Sequence, residues 1–309
     1  MGLRSPTVTA LPPALPGRAG WPWTEETQSQ PEHLSGSLSW PRISIVTPSL
    51  NQGSFVEEAI RSVLLQNYPA VELIVVDGGS TDGSIETIGK YRGCLAHWIC
   101  EGDAGPANAL NKGFRLATGE ILGFLNADDF LLPGSLAKVV HEFHTHPCAD
   151  VVSGHGYLAN SSGEVGAPFI SDQWNLTRFA YDACVLVQAA TFFRRSRYQQ
   201  VEGFNEGNRT AWDMELWADL ALAGAAFHSF DEFLAVFRLH TASISGRPQS
   251  RKQRRQDARA VRQKVKGRLE TPRDRLYSIL QRIRKFSGHP LRTLNQRLFF
   301  YSTLNRWSV

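Results

Sequence analysis

Residues 71–84 constrain this chain more than any other stretch. An apolar run at 73–76 leads without a break into Asp77, Gly78 and Gly79, then into Ser80, Thr81, Asp82, Gly83 and Ser84. A carboxylate is thereby set at the carboxyl end of a buried strand, where open α/β sheets bind their ligands. The arrangement recurs in variant form further on, where apolar residues 121–125 end in Asn126, Ala127, Asp128 and Asp129. Two strands that deliver carboxylates to one rim suit a nucleotide with a divalent metal on its phosphates.

The pieces around them alternate between two periods. Order begins at a short apolar strand at 43–46, ended by Thr47, Pro48 and Ser49. Val56, Ile60, Val63 and Leu64 then fall on one helical face, as do Leu110, Phe114 and Ala117 further on. Ser80, Thr81 and Asp82 offer caps for a short helix, and a third apolar piece at 95–100 runs into a Gly-rich loop holding Asp103. The β-α-β-α-β-α-β order predicts a doubly wound parallel sheet in the first half. A helix carrying Leu136, Val139, Val140 and Phe143 follows. Extended pieces near 150–158 and 184–193, then a helix from Trp212, predict a mixed sheet in the second half.

Charge divides the chain. Residues 247–309 hold 18 Lys and Arg against 3 Asp and Glu, net +15, while residues 1–246 carry −11. An acidic body with a basic tail places a boundary near 246. Residues 1–41 hold 7 of the 16 prolines and no periodicity, which predicts a disordered leader. The expected organisation is a leader over 1–41, a catalytic domain over 42–246 and a basic amphipathic helical tail over 247–309, patterned by Leu276, Ile279, Leu280, Ile283 and Phe286. Four cysteines without CxxC spacing point to free thiols in a reducing compartment. No apolar run approaches the ~20 residues of a membrane span, and Pro12, Pro13 and Pro16 interrupt any signal-like segment. A cytoplasmic location is expected.

The motifs in series resemble family 2 glycosyltransferases of the GT-A fold. They are Thr47 to Asn51, Val76 to Ser84, Ala109 to Gly113 with Ala117 to Glu120, and Asn126 to Asp129, in family order across residues 43–240. The resemblance implies a GT-A, Rossmann-like α/β fold with a mixed, mainly parallel sheet flanked by helices. It implies a nucleotide-diphospho-sugar donor held by Thr47, Pro48, Asn51, Asp77, Gly78, Asp103 and Asp128, with Asp77 on the base or ribose. Mn2+ or Mg2+ is implied at Asp128 and Asp129, one on the metal while the other holds ribose or a loop, with His240 near the diphosphate. Asn126 stands where the family's metal motif has its first Asp. Asp213 matches the base that deprotonates the acceptor hydroxyl in an inverting transfer, with Glu215 as its competitor. Gln188 and Glu215 fall on the acceptor side. The acceptor is a saccharide or a lipid-linked hydroxyl.

Three readings of the tail stay open: a peripheral contact with an anionic membrane face, a lid or dimer arm on the acidic body, and nucleic-acid binding, the last disfavoured because no aromatic-basic module is present. His141, His144 and His146 read as a solvated helix face. A sugar nucleotidyltransferase should carry Arg and Lys in a Gly-rich loop after the first strand, which Thr47 to Asn51 lacks. A catalytically impaired nucleotide-sugar-binding or scaffold protein has Asn126 as its support and Asp213 against it.

Overall fold

A computed structural model describes residues 5–247 and 249–288, with side chains to residue 285. The first strand, β1 (Ile43–Ser49), is followed by α1 (Val56–Leu64), β2 (Val71–Asp77), α2 (Ser84–Lys90), β3 (His97–Cys100), α3 (Pro106–Leu116) and β4 (Ile121–Phe124). β3, β2, β1 and β4 lie side by side and parallel, so Ser49, Asp77 and the chain leaving Phe124 reach one rim. Both faces are covered. Ile45, Leu73 and Val75 pack toward α1, whereas Val46, Ile74 and Val76 pack toward α3. A strand buried on both faces reads as an unbroken apolar run, which is why periodicity finds these elements readily.

The second half adds β5 (Phe130–Leu131), α4 (Ser135–Thr145), β6 (Val151–Ala159), β7 (Val165–Phe169), α5 (Leu176–Ala180), β8 (Thr191–Arg194), α6 (Arg195–Gln200), α7 (Trp212–Leu222) and β9 (Phe227–Arg238). β8 joins β4 antiparallel, and the sheet continues through β6 and β9 to β5, with β7 paired to β6. The long β9 therefore brings its carboxyl end to the same rim as the loop after β4. Of the extended piece expected at 184–193 only β8 forms a strand; residues 188–190 make a 3-10 turn.

Two expected boundaries change. Residues 5–41 are not a disordered leader: Leu11, Trp23 and Trp40 are buried, and Arg61 of α1 donates to the carbonyls of Pro12 (2.8 Å), Pro22 (3.0 Å) and Trp23 (2.7 Å). A Pro-rich segment leaves carbonyls without intrasegment partners, and one buried guanidinium collects three of them. Nor is 246 a structural break. The tail begins with α8 (Ser250–Lys266), whose Val261 packs beside Phe179, Cys184 and Ala218. Lys264 meets Asp219 at 2.6 Å and Glu215 at 3.1 Å, so the basic helix rests on the acidic body through ion pairs. The last described helix is α9 (Pro272–Gly288); Phe286 and everything after residue 288 lie outside the described side chains.

Candidate active site

A cleft of about 570 Å³ opens at the carboxyl rim, within the size range of small-molecule sites. Of the residues expected in the site, Pro48, Asp103, Asp128, Gln188 and Asp213 line it, as does Asn126. Thr47, Asn51, Asp77, Gly78, Asp129, His240 and Glu215 do not stand in its wall.

Asp77 has no oxygen to spare. One carboxylate oxygen accepts from the N–H groups of Gly79 (3.0 Å) and Ser80 (2.7 Å), the other from the hydroxyls of Ser49 (2.9 Å) and Ser80 (2.7 Å). Those four bonds fill the lone-pair sites of a carboxylate, and the residue is fully buried. The expected direct contact with base or ribose is corrected: Asp77 shapes the turn after β2. Asn51 acts likewise, its N–H donating to the Ser80 hydroxyl at 2.7 Å and its side-chain oxygen accepting from Thr81 N–H at 2.9 Å. Thr47 is buried, its hydroxyl without a partner.

Asp103 occupies the ground that Asp77 leaves free. A Cβ built on Gly78 would stand 2.6 Å from the Asp103 carboxylate, so bare glycine at 78 lets that carboxylate lie against the strand end. Its other oxygen accepts from Gly105 N–H at 2.8 Å, and Lys112 steadies the loop through Glu101 (2.8 Å) and the Gly102 carbonyl (3.1 Å).

The loop after β4 separates its two aspartates. Asp129 is buried and accepts from Arg238 N–H at 2.8 Å and from the Asn126 amide at 3.3 Å. Burial, and then the charge of Asp128, push its carboxyl well above the usual carboxylate range. Of the two aspartates expected at the metal, Asp129 is thus the one that holds the loop, an anchor between β4 and β9. Asp128 faces the cleft, its carboxylate 3.0 Å from His240 Nε2. Arg238 and His240 lie two residues apart at the end of β9. Arg238 donates to the Asp128 carbonyl (2.7 Å) and to Glu58 (3.0 Å), while His240 meets the same aspartate's carboxylate. Sequence reading missed Arg238; an arginine and a histidine at i and i+2 past a strand end were the available signal.

Gln188, expected near the acceptor, spends its amide on the motif. It donates to the Phe124 carbonyl at 2.7 Å and accepts from the Asn126 amide at 2.9 Å. With that amide committed to Gln188 and Asp129, the Asn126 carbonyl oxygen is the donor atom left to it. Asp128 and Asn126 stand in the cleft wall with a carboxylate and a carbonyl oxygen, and the His240 imidazole lies against Asp128 at 3.0 Å; donors of these kinds suit Mn2+ better than Mg2+, which seldom takes nitrogen.

Asp213, in the first turn of α7, also stands in the cleft wall. Burial raises its pKa above the usual carboxylate value, against the pull of the Met214 N–H. Glu215 points elsewhere. Burial alone would raise its pKa, but the amides of Asn208 and Asn205 and the Lys264 ammonium hold it below the usual value. Its expected acceptor contact is corrected: Glu215 fastens α8 to α7. That helix contributes a wall residue the sequence did not single out, Arg254, whose Nη1 donates to the Ser245 carbonyl at 2.7 Å and whose Nε is buried without a partner. Burial, then the neighbouring Arg251, lowers its pKa.

Away from the cleft, Glu142, His146 and His228 gather at the end of α4 and start of β9, with His228 Nε2 2.9 Å from Glu142 and the two imidazoles stacked at 3.8 Å. The histidine stretch is thus not simply a solvated face, because Glu142 lies one turn before His146 and β9 brings His228 alongside.

Similarity to known proteins agrees with this geometry. The family model for glycosyl transferase family 2 matches residues 44–196. A protein of Bacillus subtilis (strain 168) named as the teichuronic acid biosynthesis glycosyltransferase TuaG is 30% identical over 212 residues, 66% of this chain and 82% of that one. A PGL/p-HBAD biosynthesis glycosyltransferase of Mycobacterium tuberculosis (strain ATCC 25618 / H37Rv) is 29% identical over 208 residues, 63% of this chain and 79% of that one. Among solved structures, S. aureus TarS 1-349 in complex with UDP-GlcNAc superposes with a TM-score of 0.59 at 18% identity, covering 80% of this chain and 73% of that one. The mannosyltransferase PcManGT from Pyrobaculum calidifontis, in complex with GDP-Man and Mn2+, gives 0.59 at 18% identity, covering 92% and 86%. The chain spans 44% of the longer TarS chain. The architecture is that of the GT-A glycosyltransferases. The chain belongs to glycosyl transferase family 2.

Proposed function

We propose that the protein is an inverting glycosyltransferase that moves a sugar from a nucleotide-diphospho-sugar to a saccharide or lipid-linked hydroxyl, in the synthesis of a surface polysaccharide or glycoconjugate. The observation that carries this reading is that Asp103, Asp128 and Asp213 stand in the walls of one cleft, each from a different element. The base and ribose lie by Pro48, Ser49 and Leu50, where the Asp103 carboxylate accepts from a base N–H or ribose hydroxyl. The diphosphate lies between Asp128 with His240 and the cationic side, where Arg254 and Arg247 line the cleft. A guanidinium with a free buried N–H suits a phosphate oxygen, since that bond removes an uncompensated donor.

Asp213 takes the proton of the acceptor hydroxyl as its oxygen attacks the anomeric carbon. The bond from that carbon to the phosphate oxygen breaks, the electron pair leaves with the nucleoside diphosphate, and the configuration inverts. A raised pKa makes Asp213 a stronger base than an exposed aspartate. A divalent ion, Mn2+ or Mg2+, would be held by Asp128 and His240 with the Asn126 carbonyl, and supplies positive charge to the departing diphosphate. The TarS and PcManGT complexes, with their nucleotide-sugars, support the donor class, and PcManGT with Mn2+ supports the ion. The TuaG relationship supports the polysaccharide setting. All four cysteines are free, in keeping with a cytoplasmic site of action.

A thermal-shift panel of nucleotides and nucleotide-sugars, with and without Mn2+, tests the reading. One nucleoside diphosphate and its sugars should raise the melting temperature more with Mn2+ than without, because a ligand that binds only the folded chain stabilises it by mass action. A flat response across every base, with the ion present, would remove the donor site from this cleft.

A further inference from the structure

The last described helix, α9, presents an apolar stripe outward. Leu276, Ile279, Leu280 and Ile283 are 59%, 53%, 43% and 57% exposed. At about 100° per residue these four fall within an arc of about 100°. Arginines border both edges: Arg273 and Arg284 on one side and Arg275 on the other, all exposed, while Arg282, next beyond Arg275, turns to the body. The opposite face is the one that meets the body. Lys285 reaches Asp172 at 2.5 Å, Arg282 pairs with Asp182, and the Tyr277 ring lies 5.6 Å from that of Tyr181. The helix is thus anchored through its polar side, with its apolar side about half exposed. No helix among the described residues is long and apolar enough to cross a bilayer.

We propose that α9 lies in the plane of an anionic membrane surface and docks the enzyme there. The occupant follows from charge. A second protein surface would want the stripe's rim matched by acids, whereas this rim is arginine on both edges, in a segment of net +15 at 247–309. An apolar stripe flanked by long cationic side chains suits a bilayer, where the arginines reach up to anionic headgroups while the stripe enters the acyl boundary. Asp182, which α9 grips, also lines the cleft, so the docked face is tied to the cleft wall. The acceptor is then borne on a lipid of that membrane; this last step rests on the glycosyl-transfer reading, whereas the docking does not.

Flotation of the full chain with vesicles tests the proposal. The protein should float with equimolar phosphatidylcholine and phosphatidylglycerol vesicles, weakly with phosphatidylcholine alone, and less as salt rises. A variant with Leu276, Ile279, Leu280 and Ile283 all changed to Ser should lose about tenfold or more in binding to the anionic vesicles. The same variant should keep the wild-type melting curve and nucleotide response, because the four side chains are exposed. Wild-type protein that stays at the bottom of the gradient, or a stripe variant that floats as well as wild type, overturns the proposal. So does a dimer that the stripe variant dissolves without any vesicle binding, which would make a second copy the occupant. Flotation that persists while no nucleotide-sugar stabilises the chain would sink the transferase reading and leave the docking standing.

Discussion

Asp213→Asn should cut turnover by on the order of 10²–10⁴ while leaving donor affinity nearly unchanged. The asparagine keeps the shape of the cleft wall and removes only the proton acceptor. Because burial raises the Asp213 pKa, the acid limb of the wild-type rate profile should fall at a pH above the usual aspartate value. The sign is fixed by chemistry: the base works ionised, so activity rises as pH climbs through its pKa, and the limb should vanish in the variant's residual rate. Glu215→Gln makes the contrast. Its carboxylate is engaged by Asn205, Asn208 and Lys264, so the change should loosen α8 and lower the melting temperature with little loss of turnover at permissive temperature. A dead Glu215→Gln with an active Asp213→Asn would exchange the two assignments.

Metal removal should produce an effect of similar size. EDTA should abolish transfer and Mn2+ should restore it, and Asp128→Asn should be nearly inactive, with a normal melting temperature and a lost Mn2+ response. Asp129→Asn should show the reverse order of symptoms. Its carboxylate holds the Arg238 backbone at 2.8 Å inside the fold, so the melting temperature falls first and activity follows. Asn126→Asp is the informative third variant. A carboxylate there would face the Gln188 oxygen and the Asp129 carboxylate with no hydrogen to offer, so the variant should be destabilised without metal and recover with it. Full activity in EDTA would show that this rim works without an ion.

How far the sequence was readable depends on the range of the contacts. β1 to β4 announce themselves because each is a local apolar run bounded by turn residues, and the helix that carries Asp213 starts at Trp212, as its pattern predicts. Other assignments turned on partners far along the chain. Asp77 reads as a ligand contact until Ser49 and Ser80 are seen closing on it. Asp103 gains its place because Gly78 lacks a side chain. Arg61 makes an ordered wrap of a Pro-rich segment that has no period of its own, and a charged helix residue gives no hint of three distant carbonyls. Glu215 and Lys264 are 49 residues apart, and their pairing turns part of an apparent tail into cleft wall. Charge composition marks a change of sign at 246 that is no break in the fold. A change of sign across an interface is also what draws two segments together, which is why the helix beyond it packs on the body.

The central claim is direct displacement by an oxygen nucleophile that Asp213 activates. The most direct measurement is proton NMR of early turnover with the donor identified by thermal shift, using an α-linked sugar nucleotide and following the anomeric signal of the transferred or hydrolysed sugar. Direct displacement requires the β-configured product to appear first, at a rate that Asp213→Asn lowers by on the order of 10²–10⁴. An α-configured product at the earliest times, or an unchanged rate in the variant, would contradict it.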